Sequence, residues 1–121
     1  MPISDRGKTR FRLLLGLALI LASWFALSPN PVALPDVTQM DKWAHLATYI
    51  VLAFLVDASW PERGFDLPKW VFLLVYGAVI ELIQGQLPNR MLSVADLAAN
   101  AAGVAVYALL ILKVLRARGL R

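Results

Sequence analysis

The chain has 121 residues, about one domain's worth, of which 60% are hydrophobic and none is cysteine; its mean hydropathy is +0.66. That apolar share exceeds the roughly 45–50% of soluble domains and predicts an integral membrane protein, while the lack of cysteine excludes disulfides, thiolate metal sites and a cysteine nucleophile. The net charge of +4 does not point to nucleic acid, because most basic residues lie in two short tails that flank apolar runs and form no face of a soluble domain.

Arg6, Lys8, Arg10 and Arg12 precede an apolar run from Leu13 to Leu27 that Ser23 interrupts. A cleaved signal peptide with Ala26 and Ser28 at its end is one reading of this start. Against it, Pro29 would directly follow the cut, and Phe11, Trp24 and Phe25 lengthen the segment to about the 17-residue lower limit of a span; an uncleaved first span over about 11–28 is the better reading. The prolines at 29, 31 and 35 cannot continue a helix and make an extended connector. Thr38-x-x-Asp41 is a capping-box pattern, and a second span follows over 43–60 with Trp43 and Trp60 as interfacial aromatics.

Pro61 ends that span, and the loop to Pro68 carries Glu62, Arg63 and Asp66. Lys69 and Trp70 open a third span over 69–87, which Pro88 and Asn89 break, with Arg90 in the turn. Ser93-x-x-Asp96 offers a second capping box for a fourth span over 93–112, and Lys113, Arg116, Arg118 and Arg121 close the chain. The expected fold is all-α, a single-domain bundle of four transmembrane helices. Basic residues at both ends place both termini in the cytoplasm by the positive-inside rule, and the basic tails then fix topology and touch anionic lipid.

With that topology, three polar stripes meet at the outer face. Asp41, His45 and Tyr49 recur every fourth residue on the second span; Gly77, Glu81 and Gln84 share a face of the third, and Asp96, Asn100, Gly103 and Tyr107 share one on the fourth. An ionisable group in lipid costs at least about 2.5 kcal/mol, so Glu81 and Asp96 should face protein or water and mark a site.

DKWAHLATY at 41–49, YGAVIELIQGQLPNR at 76–90 and SVADLAANAAG at 93–103 resemble the motifs of the VanZ-like family of small membrane proteins, in order and over about residues 41–107. The family is named for a protein associated with teicoplanin resistance, so the resemblance implies a multi-pass protein of the bacterial cytoplasmic membrane without assigning a reaction. Tyr107 departs from the pattern, where a second small residue often follows Gly103, and this argues against a close small-xxx-small helix crossing there.

Each polar residue has two readings. Asp41 and Asp96 are helix caps or site carboxylates. His45 packs by hydrogen bonding or takes part in chemistry. Gln84 and Asn100 join helices, and Arg90 clamps a phosphate or carboxylate or neutralises Glu81 or Asp96, a role Lys42 can share. Glu81, His45 and Asp96 are the catalytic candidates; Arg90, Lys42, Asp41, Tyr49, Gln84 and Asn100 are the candidates for binding. The spacings of Asp41, His45, Glu81 and Asp96 form no compact metal motif, Ser93 lacks a base pattern, and no cofactor is implied.

Three functions fit these residues: an enzyme acting on a lipid-linked or cell-wall precursor, a factor that binds such an envelope component or an amphiphilic glycopeptide-type drug, or a structural subunit whose polar cluster fixes helix packing. Turnover alone separates the first two. The expected partners are membrane lipids and such amphiphiles, without nucleic acid.

Overall fold

The computed structural model describes residues 3–27, 37–87 and 94–121, with the backbone alone over 37–41. The 28–35 connector, the side chains of Thr38 and Asp41, and Pro88, Arg90 and Ser93 lie outside the described residues. Ser4 starts the first helix: its Oγ accepts the Gly7 amide at 3.1 Å, and Asp5 puts negative charge in the first turn. Helix α1 therefore runs Asp5–Leu27 and includes the basic segment that the sequence leaves outside the span. Helix α2 is Val37–Ser59, α3 is Leu67–Gln84, begun by extended Asp66 with Pro68 in its first turn, and α4 is Val94–Ala117.

Three of these helices, α1, α3 and α4, are long and apolar enough to cross a membrane. Helix α2 falls outside that group because it carries Lys42, His45 and Asp57. Its polarity matches its position. Helix α2 touches each of the other three, whereas α1 and α4 do not meet among the described residues. Around the bundle the order is thus α1, α2, α4, α3, with α1–α2 and α3–α4 antiparallel, α2–α4 and α1–α3 parallel, and α2 closing on α3 across the middle. Leu52, Ala53, Leu73 and Val104 form the buried centre.

The molecule is more apolar outside than in. Leu17, Ile20 and Trp24 on α1 and Val75, Val79 and Leu82 on α3 are exposed, whereas Asp57, Lys69, Glu81, Gln84 and Asn100 are buried. Exposed apolar area of this extent belongs against lipid. Among the described residues no buried side-chain nitrogen or oxygen lacks a hydrogen-bond partner, as a bundle in hydrocarbon requires.

Contrary to the inference from Tyr107, α2 and α4 do cross closely at Gly103: a Cβ there would lie 2.5 Å from the Leu46 carbonyl oxygen and 2.9 Å from Tyr49 Cβ. Tyr107 stays clear of this crossing because its ring packs a turn further on, against Phe54 and Phe65. Gly103→Ala must push one backbone off the other. It is expected to destabilise the protein by about 1–3 kcal/mol, read as a lower unfolding midpoint in detergent, while Gly16→Ala, in mid-helix with open space around it, does not lower the midpoint.

Helix α4 also changes pitch. From Tyr107 to Ile111 it winds as a π-helix, closed by the Leu112 amide donating to the Tyr107 carbonyl. The buried positions accordingly step from Tyr107 to Leu112, one residue longer than an α-helical turn allows. After Ala117 the chain reverses through Gly119, whose φ of 70° suits glycine. The Leu120 amide donates to Leu115 O and the Gly119 amide to Arg116 O, the paired bonds of a Schellman cap.

Candidate functional site

A cavity of about 320 Å3 opens where α1 and α3 end and α2 and α4 begin. All four helices line it: Ala22, Phe25 and Ala26 from α1, His45, Thr48 and Tyr49 from α2, Tyr76, Glu81 and Gln84 from α3, and Asn100 from α4. Five of the sequence candidates, His45, Tyr49, Glu81, Gln84 and Asn100, therefore share one space. This follows from the stripes, since each set repeats at three- or four-residue spacing and so keeps one azimuth on its helix.

Asn100 and Asp96 hold the His45 ring from two sides. Nδ1 lies 2.9 Å from Asn100 Oδ1 and Nε2 lies 3.7 Å from Asp96 Oδ2. With the amide oxygen facing the ring, Nδ1–H donates, so a neutral His45 keeps its lone pair on Nε2. If that nitrogen takes a proton, the Asp96 carboxylate is placed to stabilise it. Asp96 lies in the first turn of α4, where the helix dipole favours its negative charge.

Glu81 is 1% exposed yet lines the cavity. The glycine one turn before it shapes the same wall: a Cβ on Gly77 would lie 2.9 Å from the Tyr49 hydroxyl and 3.0 Å from Asn100 Nδ2. Both groups therefore reach over the α3 backbone only because position 77 has no side chain. Gln84 Nε2 donates to the Ala26 carbonyl at 2.6 Å, and Tyr76 donates to the Leu19 carbonyl at 3.2 Å while meeting Ser23 Oγ at 2.7 Å. Helix α1 is thereby tied to α3 along the cavity, a contribution the sequence stripes did not include.

Lys42 lies elsewhere, on a groove with Trp43, Leu46 and Ala99. Arg90 and the Asp41 side chain lie outside the described residues.

Sequence reasoning missed a second polar cluster at the opposite end. Asp57, fully buried in the last turn of α2, accepts Lys69 Nζ at 2.7 Å, Arg121 Nε at 2.9 Å and Arg121 Nη2 at 2.8 Å, together with the Tyr107 hydroxyl. Lys69 Nζ also donates to the carbonyls of Trp60 and Arg63, and Arg121 to those of Pro61 and Arg63. These cations cap the C-terminal end of α2, where the helix dipole is negative. Arg121 is thus an internal clasp on Asp57, and the reading of it as part of a lipid-touching tail is corrected.

Comparison of the chain with family models, curated proteins and solved structures gives no match.

Proposed function

We propose that the chain is a VanZ-like, four-span protein of the bacterial cytoplasmic membrane that binds an amphiphilic envelope component. The headgroup of a lipid-linked or cell-wall precursor, or of a glycopeptide-type drug, enters the cavity among His45, Tyr49, Glu81 and Asn100. The observation that carries this reading is the cavity itself: about 320 Å3 of space lined by ionisable and amide groups within a bundle whose outside is apolar. Binding sites are commonly of this kind, concave with a few converging polar groups. An acyl or polyprenyl tail can leave past Phe25 and Ile80, which line the same cavity. His45 beside Asp96 supplies a proton acceptor if the ligand is also transformed.

Helix α2 is the fourth span in this reading. Its 23 residues rise about 34 Å at 1.5 Å each, enough for a hydrocarbon core of about 30 Å, and its polar groups face other helices. Every described Lys and Arg except Lys42 lies at the end holding the α2–α3 loop, which by the positive-inside rule is cytoplasmic. The chain has no cysteine, so single-cysteine labelling tests this cleanly. In intact cells a membrane-impermeant maleimide is expected to label Gln86→Cys, and Gly64→Cys only after lysis; labelling of Gly64→Cys from outside reverses the orientation and puts the cavity in the cytoplasm.

The structural-subunit reading has one observation in its favour, the complete hydrogen bonding of the buried polar groups among the described residues. Mass-spectrometric identification of what co-purifies with the wild-type protein separates the two. A stoichiometric amphiphile supports the binding reading, and an empty cavity at full activity of a partner complex supports the structural one.

A further inference from the structure

At the basic end, α2 and α3 enclose a second cavity of about 350 Å3, to which Val56 and Phe72 give apolar walls and Trp60, Arg63, Asp66 and Lys69 polar ones. The cations around it are not equivalent. Lys69 is committed to Asp57 and the loop carbonyls. Arg121 is held by the same carboxylate. Arg12 donates to the Ser59 carbonyl at 2.9 Å and stacks on Trp60, 5.0 Å from the ring centroid. Arg63 alone among these gives its carbonyl to the network while its guanidinium stays exposed, with no ion pair to any described residue.

The local field is positive. Arg12, Arg63, Lys69 and Arg121 outnumber the acids Asp57, Glu62 and Asp66 across this region, and Glu62 is itself paired with Lys8. Trp60, 40% exposed at the end of α2, has the amphipathic ring that settles at headgroup level. From Phe72 an exposed apolar strip continues along α3 through Val75 and Val79, at the three- and four-residue steps that keep one helix face.

We propose that this cavity seats one anionic phospholipid, with its phosphate on the Arg63 guanidinium, its glycerol level with Trp60 and an acyl chain along Phe72, Val75 and Val79. A planar guanidinium matches a phosphate with two parallel hydrogen bonds, and a desolvated apolar wall beside it distinguishes a seated lipid from the diffuse attraction of a basic tail. The proposal rests on the chain spanning the membrane and is independent of what the α1–α4 cavity binds.

The test is native mass spectrometry of the full chain released from nanodiscs of equal phosphatidylglycerol and phosphatidylcholine, with each variant's fold checked by circular dichroism. Wild type is expected to retain one phosphatidylglycerol and no phosphatidylcholine. Arg63→Ala should lower that occupancy about tenfold, whereas Arg118→Ala, at an exposed tail cation, keeps it. Four results overturn the proposal: no retained lipid on wild type, equal retention of both lipids, full retention by Arg63→Ala, or equal loss from Arg118→Ala. If the helices do not insert, none of the variants enters nanodiscs, so failure of the membrane reading is distinguishable from failure of the site.

Discussion

Asp57→Ala is expected to destabilise the protein by about 3–5 kcal/mol, the largest loss from any single side chain described here. The carboxylate is fully buried and faces the Lys69 ammonium and the Arg121 guanidinium, so its removal leaves two mostly buried cations without their counter-charge. Lys69 is itself only 5% exposed and would drag its attachments to the α2–α3 loop out of place. Arg121→Ala should cost less, about 1.5–3 kcal/mol, because Lys69 and the Tyr107 hydroxyl still satisfy Asp57. Unfolding of the purified variants in mixed micelles ranks the two. Equal midpoints for Asp57→Ala and wild type would mean that water already reaches the cluster.

The second large effect falls on ligand binding and leaves stability nearly alone. Glu81→Gln keeps the shape and one acceptor of the buried side chain, so the variant should accumulate and unfold like wild type. It removes the ionisable group, and if the cavity holds a headgroup through that carboxyl, the co-purified amphiphile should fall by about tenfold or more. Glu81→Ala is the contrasting variant. If it is lost to degradation while Glu81→Gln keeps its ligand, Glu81 is a packing and hydrogen-bonding residue, and the catalytic reading of it fails.

The polar stripes were legible because helical periodicity is a short-range property: His45 and Tyr49, Glu81 and Gln84, Asp96 and Asn100 each repeat within one or two turns, and the alternating up-and-down course of the chain brings the start of α2, the end of α3 and the start of α4 to one end. The extent of the helices was less legible. Ser4 caps α1 well before its apolar run, and Lys8 in the basic first turns pairs with Asp5 and Glu62. Asp57 was passed over because an acid near a span's end resembles an interfacial charge. Its partners come from α3, α4 and the chain end, and that conjunction depends on tertiary contact. Lys69 at the head of α3 was the available signal, as a buried acid and base across a short loop are natural partners. Close approach at Gly103 escaped for a related reason, since the small residue that allows it faces a backbone carbonyl of another helix.

The π-helical stretch at Tyr107–Ile111 acts as a phase shifter. Each residue turns a helix by about 100°, so one surplus residue re-indexes everything beyond it. Up to the shift, Asp96, Asn100, Gly103 and Tyr107 keep one face, which serves His45 at one end and Asp57 at the other; beyond it, Leu112 is the next buried position and the Gly119 reversal returns Arg121 to Asp57. A helix of uniform pitch would keep one azimuth to its end. The chain beyond Tyr107 is thereby re-aimed, and with it the reversal that returns Arg121 to Asp57.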